Sequence, residues 1–116
     1  MDRMSEGEIR EAVKRVPEWS ETGGAINRTY QFANFVEAMK FVNAVAAEAE
    51  AVQHHPDILV RWNKVTLSLS THDAGGITDK DFSFAIRADG LAGSAAPKPA
   101  VKPRAAGTAG PKTAKK

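Results

Sequence analysis

Residues 65–71 alternate without a fault. Val65, Leu67 and Leu69 fall on one parity, and Thr66, Ser68 and Ser70 fall on the other. A strand repeats every two residues, so this segment buries one face and wets the other. Such a strand belongs in a sheet covered on one side only, and the flanking sequence supplies both the partner strands and the cover.

A first helix is expected after Ser5. Ser5 and Glu8 have the spacing of a capping box, Met4 and Ile9 that of a hydrophobic staple, and Ile9, Ala12, Val13 and Val16 share one face until Pro17 ends it. A strand over 19–22, a Gly23-Gly24 turn and a strand over 25–32 form a hairpin. Asn34, with Glu37 three residues on, opens a long helix to about Gln53. Its expected apolar stripe is Phe35, Ala38, Met39, Val42, Val45, Ala49 and Val52. His54-His55-Pro56 stops that helix. Strands over 57–62 and 65–71 then flank a turn at Asn63-Lys64. After a loop with Gly75-Gly76, Thr78 and Asp81 cap a last helix, with Phe82, Ala85 and Ile86 expected inward and Gly90 as its end. The order α-β-β-α-β-β-α with short connections predicts an α+β fold: a four-stranded antiparallel sheet with three helices packed on one face.

The chain's 116 residues fit one domain, and a core this small favours oligomerisation. There is no cysteine, which excludes disulfides and thiolate chemistry and suits a reducing, cytoplasmic setting. The polar start is not expected to be a signal peptide, and no apolar run approaches membrane-spanning length. The net charge of +2 hides an asymmetry. Residues 92–116 carry six basic side chains and no acid, leaving ten basic against fourteen acidic residues in 1–91. We expect a folded domain over 1–91 and a disordered Ala/Pro/Lys-rich tail over 92–116, solubilising rather than a tether for an acidic partner. The acidic body and the lack of basic–aromatic interleaving argue against a nucleic-acid module.

The three histidines, His54, His55 and His72, all sit at ends of regular elements. A strand descending from residue 57 and returning by residue 71 brings His72 back toward the His54-His55 pair. Imidazoles have both protonation states available near neutrality and suit acid–base work. The bland alternatives are a surface His-His pair or a helix stop made by Pro56. A metal site is disfavoured because adjacent residues near a strand point apart. Glu50 lies one helical turn before His54 and either orients it or faces water. Asp81 either serves a site or caps its helix. Trp62 either stacks on a flat heterocycle or packs in the core. Asp73 is either a site carboxylate or turn chemistry. Gly75-Gly76 lacks the spacing of a phosphate loop.

Together Glu50, His54, His55, Pro56, Trp62, His72 and Asp81 stand at the spacings of one pattern: an acid, three residues, His-His-Pro, five residues, an aromatic, nine residues, His, and a later Asp. This resembles the pterin-4a-carbinolamine dehydratases, as do the flanking segments 27–32, 35–38, 63–65, 70–73 and 76–78. The resemblance covers about residues 5–91. It implies an α+β fold and a hydro-lyase reaction that converts a 4a-hydroxytetrahydropterin to the quinonoid dihydropterin and water during pterin recycling. It implies acid–base roles for His54, His55 and His72, without saying which is acid and which base. Glu50, Pro56, Trp62 and Asp81 would bind substrate or lie around the pocket. It further implies no metal or organic cofactor, a homodimer or homotetramer, and a link to an aromatic amino-acid hydroxylase. The alternative on the same fold is a non-enzymatic dimerisation cofactor or assembly chaperone. The complete histidine set favours catalysis.

Overall fold

A computed structural model describes residues 2–95; the rest of the expected tail lies outside the described residues. Helix α1 (Glu6–Val13) is followed by strands β1 (Ser20–Thr22) and β2 (Ala25–Gln31), helix α2 (Phe35–Val52), strands β3 (Asp57–Arg61) and β4 (Lys64–Leu69), and helix α3 (Asp79–Ala95). The sheet is antiparallel throughout, in the order β1-β2-β4-β3. Register pairs Ile26 with Leu69, Arg28 with Leu67 and Tyr30 with Val65, which puts the apolar parity of both strands on one face. All three helices cover that face. The other face is polar apart from exposed Leu59, with Thr29 and Thr66 hydroxyls 2.7 Å apart and Ser68 bonded to Asn27.

The caps follow the residues that make them. Ser5 Oγ accepts from the Glu8 amide while Glu8 Oε1 accepts from the Ser5 amide, and Asn34 Oδ1 accepts from the Glu37 amide. Gly23 and Gly24 both have positive φ (61° and 83°), as a two-residue hairpin turn with this twist needs.

Several details depart from expectation, each for a local reason. Helix α1 ends at Val13. The amides of Lys14, Arg15 and Val16 bond three residues back, so the chain tightens ahead of Pro17 and drops Val16 and Trp19 into the core. In α2 the buried residues are Ala38, Phe41, Val45 and Ala49, a stripe centred on Phe41 that leaves Phe35 and Val52 exposed. The β3–β4 turn is Trp62-Asn63, one residue early. Asn63 is drawn inward because its carbonyl accepts from the Phe32 amide and its side-chain amide donates to the Phe32 carbonyl. Trp62 takes up the left-handed φ of 54°. Helix α3 runs through Gly90 and past the expected domain end at Leu91 into the segment read as tail, whose first residue, Ala92, packs on the core beside Leu91. Phe84 and Ala88 face inward with Phe82 and Ala85, and Ile86 is exposed.

One carboxylate holds the far end of α3 to the sheet. Asp89 Oδ1 accepts from Trp19 Nε1 (3.0 Å), an Arg28 guanidinium nitrogen (2.8 Å) and the Tyr30 hydroxyl (2.6 Å). The Arg28 guanidinium also lies 4.4 Å over the Tyr30 ring centre. Burial, then the bond to anionic Asp89, pushes the Tyr30 phenol well above its ordinary value. A raised folded value means the associated stability is intact below about pH 10 and drains away as pH climbs beyond it. In an alkaline ultraviolet titration, this sole tyrosine should therefore give no phenolate signal near pH 10. The signal should appear only together with loss of circular dichroism; phenolate formation near that pH with the fold intact would contradict the Asp89 contact.

Candidate active site

Helix α2 ends where Gln53 adopts a left-handed conformation (φ 54°). The turn folds the chain back so that the His54 amide bonds the Ala49 carbonyl and its ring points toward the start of α3. There His54 Nε2 lies 2.6 Å from Asp81 Oδ1. Asp81 is at 0% exposure and the His54 side chain at 11%.

Asp81 has two jobs at once. Its Oδ2 accepts from the Thr78 amide (2.9 Å), closing the cap of α3, and from the Thr71 hydroxyl (2.9 Å). Thr71 and Thr78 hydroxyls are 2.7 Å apart, and Thr78 Oγ1 accepts from the Lys80 amide. A buried carboxylate with this set of donors has partners on both oxygens and orients the imidazole beside it.

The other sequence-derived residues sort by distance from this pair. His55 turns the opposite way and meets Glu50, with Nε2 2.6 Å from Oε2 on the open surface. The adjacent imidazoles thus go to different carboxylates. His72 opens a short 3₁₀ turn (His72–Ala74) directly after Thr71, with its ring exposed. The turn is pinned by the Thr71–Gly76 backbone pair, so His72 leaves the sheet at the end where Thr71 touches Asp81. Pro56 is half-buried between His55 and β3. Trp62 is 70% exposed at the far end of β3, a strand's length from His55, and is outside this group within one copy. Asp73 lies exposed in the 3₁₀ turn.

Beside His54 a groove of about 550 Å³ opens between the end of α2 and the start of α3. Its walls include Glu48, Val52, Lys80, Phe84 and Arg87, with Arg87 paired to Glu48 at 2.8 Å. The His54 and Phe84 rings are 6.3 Å apart. That volume lies in the range of small-molecule sites. Among the described residues, no group of three or more His, Asp or Glu is arranged to hold a metal ion. No helix among them is long and apolar enough to cross a membrane.

Sequence reasoning did not single out Thr71, Lys80 or Arg87. Thr71 did carry a signal: it continues the apolar parity of Val65, Leu67 and Leu69, where a hydroxyl needs a buried partner.

A family model described as pterin 4 alpha carbinolamine dehydratase matches residues 2–91. A provisionally named pterin-4-alpha-carbinolamine dehydratase of Chloroflexus aurantiacus is 50% identical over 93 residues, covering 80% of this chain and 100% of that protein. Another from a Picosynechococcus species is 48% identical over 89 residues, covering 77% and 97%. Among solved structures, a transcriptional coactivator/pterin dehydratase from Brucella melitensis superposes with a TM-score of 0.76 at 31% identity, covering 78% of this chain and 99% of that one. A pterin dehydratase-like RuBisCO assembly factor of the alpha-carboxysome gives 0.58 at 28% identity, covering 66% and 90%.

Removing Asp81 should expose how much hangs on it. Asp81→Ala strands the Thr78 amide, the Thr71 hydroxyl and the His54 ring N–H, and should cost about 3 kcal/mol of stability in urea unfolding. Glu50→Ala, whose partner is solvent-exposed, should stay within about 0.5 kcal/mol. Equal losses for the two would contradict this division between buried and surface pairs.

Proposed function

The chain belongs to the pterin-4-alpha-carbinolamine dehydratase family, and on that premise we propose that it removes water from a 4a-hydroxytetrahydropterin by histidine acid–base catalysis. The observation that carries this reading is the pair of buried Asp81 and partly exposed His54 at the edge of a groove of ligand size.

The elimination breaks the C4a–oxygen bond. One proton goes to the departing hydroxyl and one leaves the pterin ring system, so the products are water and the quinonoid dihydropterin with no net redox change. Asp81 accepts from Nε2 of His54, which leaves Nδ1 with the free lone pair. A carboxylate behind the ring also stabilises the imidazolium formed when Nδ1 takes a proton. His54 is therefore assigned as base. His72 and His55, both exposed, are the candidates to protonate the leaving hydroxyl, with Glu50 orienting His55. Pro56, between His55 and β3, would line the pocket with Glu50. Trp62 would reach a bound pterin only from a second copy. The free edge of β3, with Ile58, Leu59 and Trp62 exposed, supports the homo-oligomer that the sequence resemblance implies. A cytoplasmic setting and supply of substrate by an aromatic amino-acid hydroxylase complete the proposal.

The second reading is a binding role without catalysis, which the names of the coactivator and assembly-factor neighbours bring forward for those proteins. Fold alone does not decide between them. A binder has no need of the three histidines; a dehydratase does.

A coupled phenylalanine hydroxylase assay tests the choice. Wild type should accelerate loss of the 4a-hydroxy intermediate, and His54→Ala and His72→Ala should each lose about 10²-fold or more while remaining folded. A wild-type rate equal to the spontaneous one would falsify the dehydratase reading.

A further inference from the structure

The Asp81–His54 pair is the visible end of a longer hydrogen-bonded chain, and that chain has a direction. Thr71 donates its hydroxyl proton to Asp81 Oδ2. A hydroxyl has one proton, so in the 2.7 Å contact between the two threonines it is Thr78 that donates and Thr71 that accepts. Thr78 Oγ1 in turn accepts from the Lys80 amide. The order is Lys80 N–H to Thr78 O–H to Thr71 O–H to Asp81 Oδ2, every side-chain member being buried. With the Thr78 amide also on Oδ2, that oxygen is fully engaged, and Oδ1 remains for His54.

We propose that Thr71 is a positioning residue for His54: its hydroxyl fixes the Asp81 carboxylate, and through it holds His54 with Nε2 protonated and Nδ1 free. The backbone of the same residue closes on Gly76 at both ends, with Thr71 N to Gly76 O at 2.8 Å and Gly76 N to Thr71 O at 3.3 Å, and so fixes the turn that carries His72. Thr71 is thus the joint between the two halves of the site, the backbone serving His72 and the side chain serving His54. Valine would match the shape of Thr71 on this apolar parity but would leave Asp81 Oδ2 and the Thr78 hydroxyl each short of a partner, so the hydroxyl is the part of Thr71 that the His54–Asp81 pair depends on.

Only the kinetic arm of the test rests on the dehydratase reading. In full-length protein, nitrogen-15 NMR of the imidazoles should show His54 as the Nε2–H tautomer. Thr71→Val should move the His54 ring signals and leave those of His55 in place. It should lower kcat by about tenfold or more, as loss of a hydrogen bond to a charged group does, with KM changed by less than about twofold. Thr71→Ser, which keeps the hydroxyl, should restore both the signals and kcat. The proposal is overturned by an Nδ1–H tautomer for His54 in wild type, by unchanged His54 signals in Thr71→Val, or by Thr71→Ser behaving like valine. If Thr71→Val does not fold, the wild-type tautomer and the serine variant still decide. A wild type without dehydratase activity removes the assigned reaction, and the NMR arm then decides the positioning role alone.

Discussion

A carboxylate cut off from water persists only where other donors replace the water it has lost. Asp81 is such a group, and the arrangement of the functional end of the molecule follows from satisfying it. Its partners come from three separate places in the chain: the exit of α2 through His54, the end of β4 through Thr71, and the N-terminus of α3 through Thr78. None can shift without stranding a donor or the charge, and a half-satisfied buried network is worse than none. The helix cap and the orientation of the imidazole are therefore one constraint. The first turn of α3 adds to it, because a negative charge there sits at the favourable end of the helix dipole.

Asp89 does comparable work two turns further along the same helix. It gathers Trp19, Arg28 and Tyr30, none of which belongs to the candidate site. Helix α3 is thus tied to the sheet by two carboxylates that differ in purpose. The Asp89 cluster consists of side chains that donate to one oxygen and stack on one another, an arrangement that suits a clamp. The Asp81 cluster ends on a titratable ring at the edge of a groove, an arrangement that suits chemistry. The distinction is visible in what each carboxylate faces: aromatic core and a permanently charged guanidinium in one case, an imidazole able to gain or lose a proton in the other.

The architecture was legible because its signals are redundant. The parity of residues 65–71, the Gly23-Gly24 turn and the Ser5, Asn34 and Thr78 caps each specify an element, and all agree. What was not legible depended on contacts between elements. Phe41 belongs to the inner stripe of α2 because Tyr30 and Phe32 meet it across the sheet, with ring centres 4.6 Å and 5.1 Å away. Periodicity alone gives a stripe only to within part of a turn. The β3–β4 turn moved by one residue because Asn63 bonds Phe32, thirty-one positions earlier. At the site, the spacing brought forward His54 and Asp81 but left open whether Asp81 was a cap or a partner. It is both, which a choice framed between the two could not express.

The three imidazoles are consequently unequal, and the inequality bears on how one small site could run an elimination. A base that must take a proton and later release it benefits from a carboxylate behind it, and His54 has one in Asp81. An acid that must deliver a proton to a departing hydroxyl and be recharged from solvent benefits from access to water, and His55 and His72 have that access. Burial gives the first group its orientation at the cost of exchange, while exposure gives the others exchange at the cost of orientation. The two demands meet at the end of the sheet, where β4 runs out into a turn and α2 has just stopped. There the imidazole held by Asp81 and the exposed His55 and His72 stand at the ends of α2 and β4. That end of the fold is where the paired roles of an acid–base site can be met without a metal-like cluster of equivalent ligands.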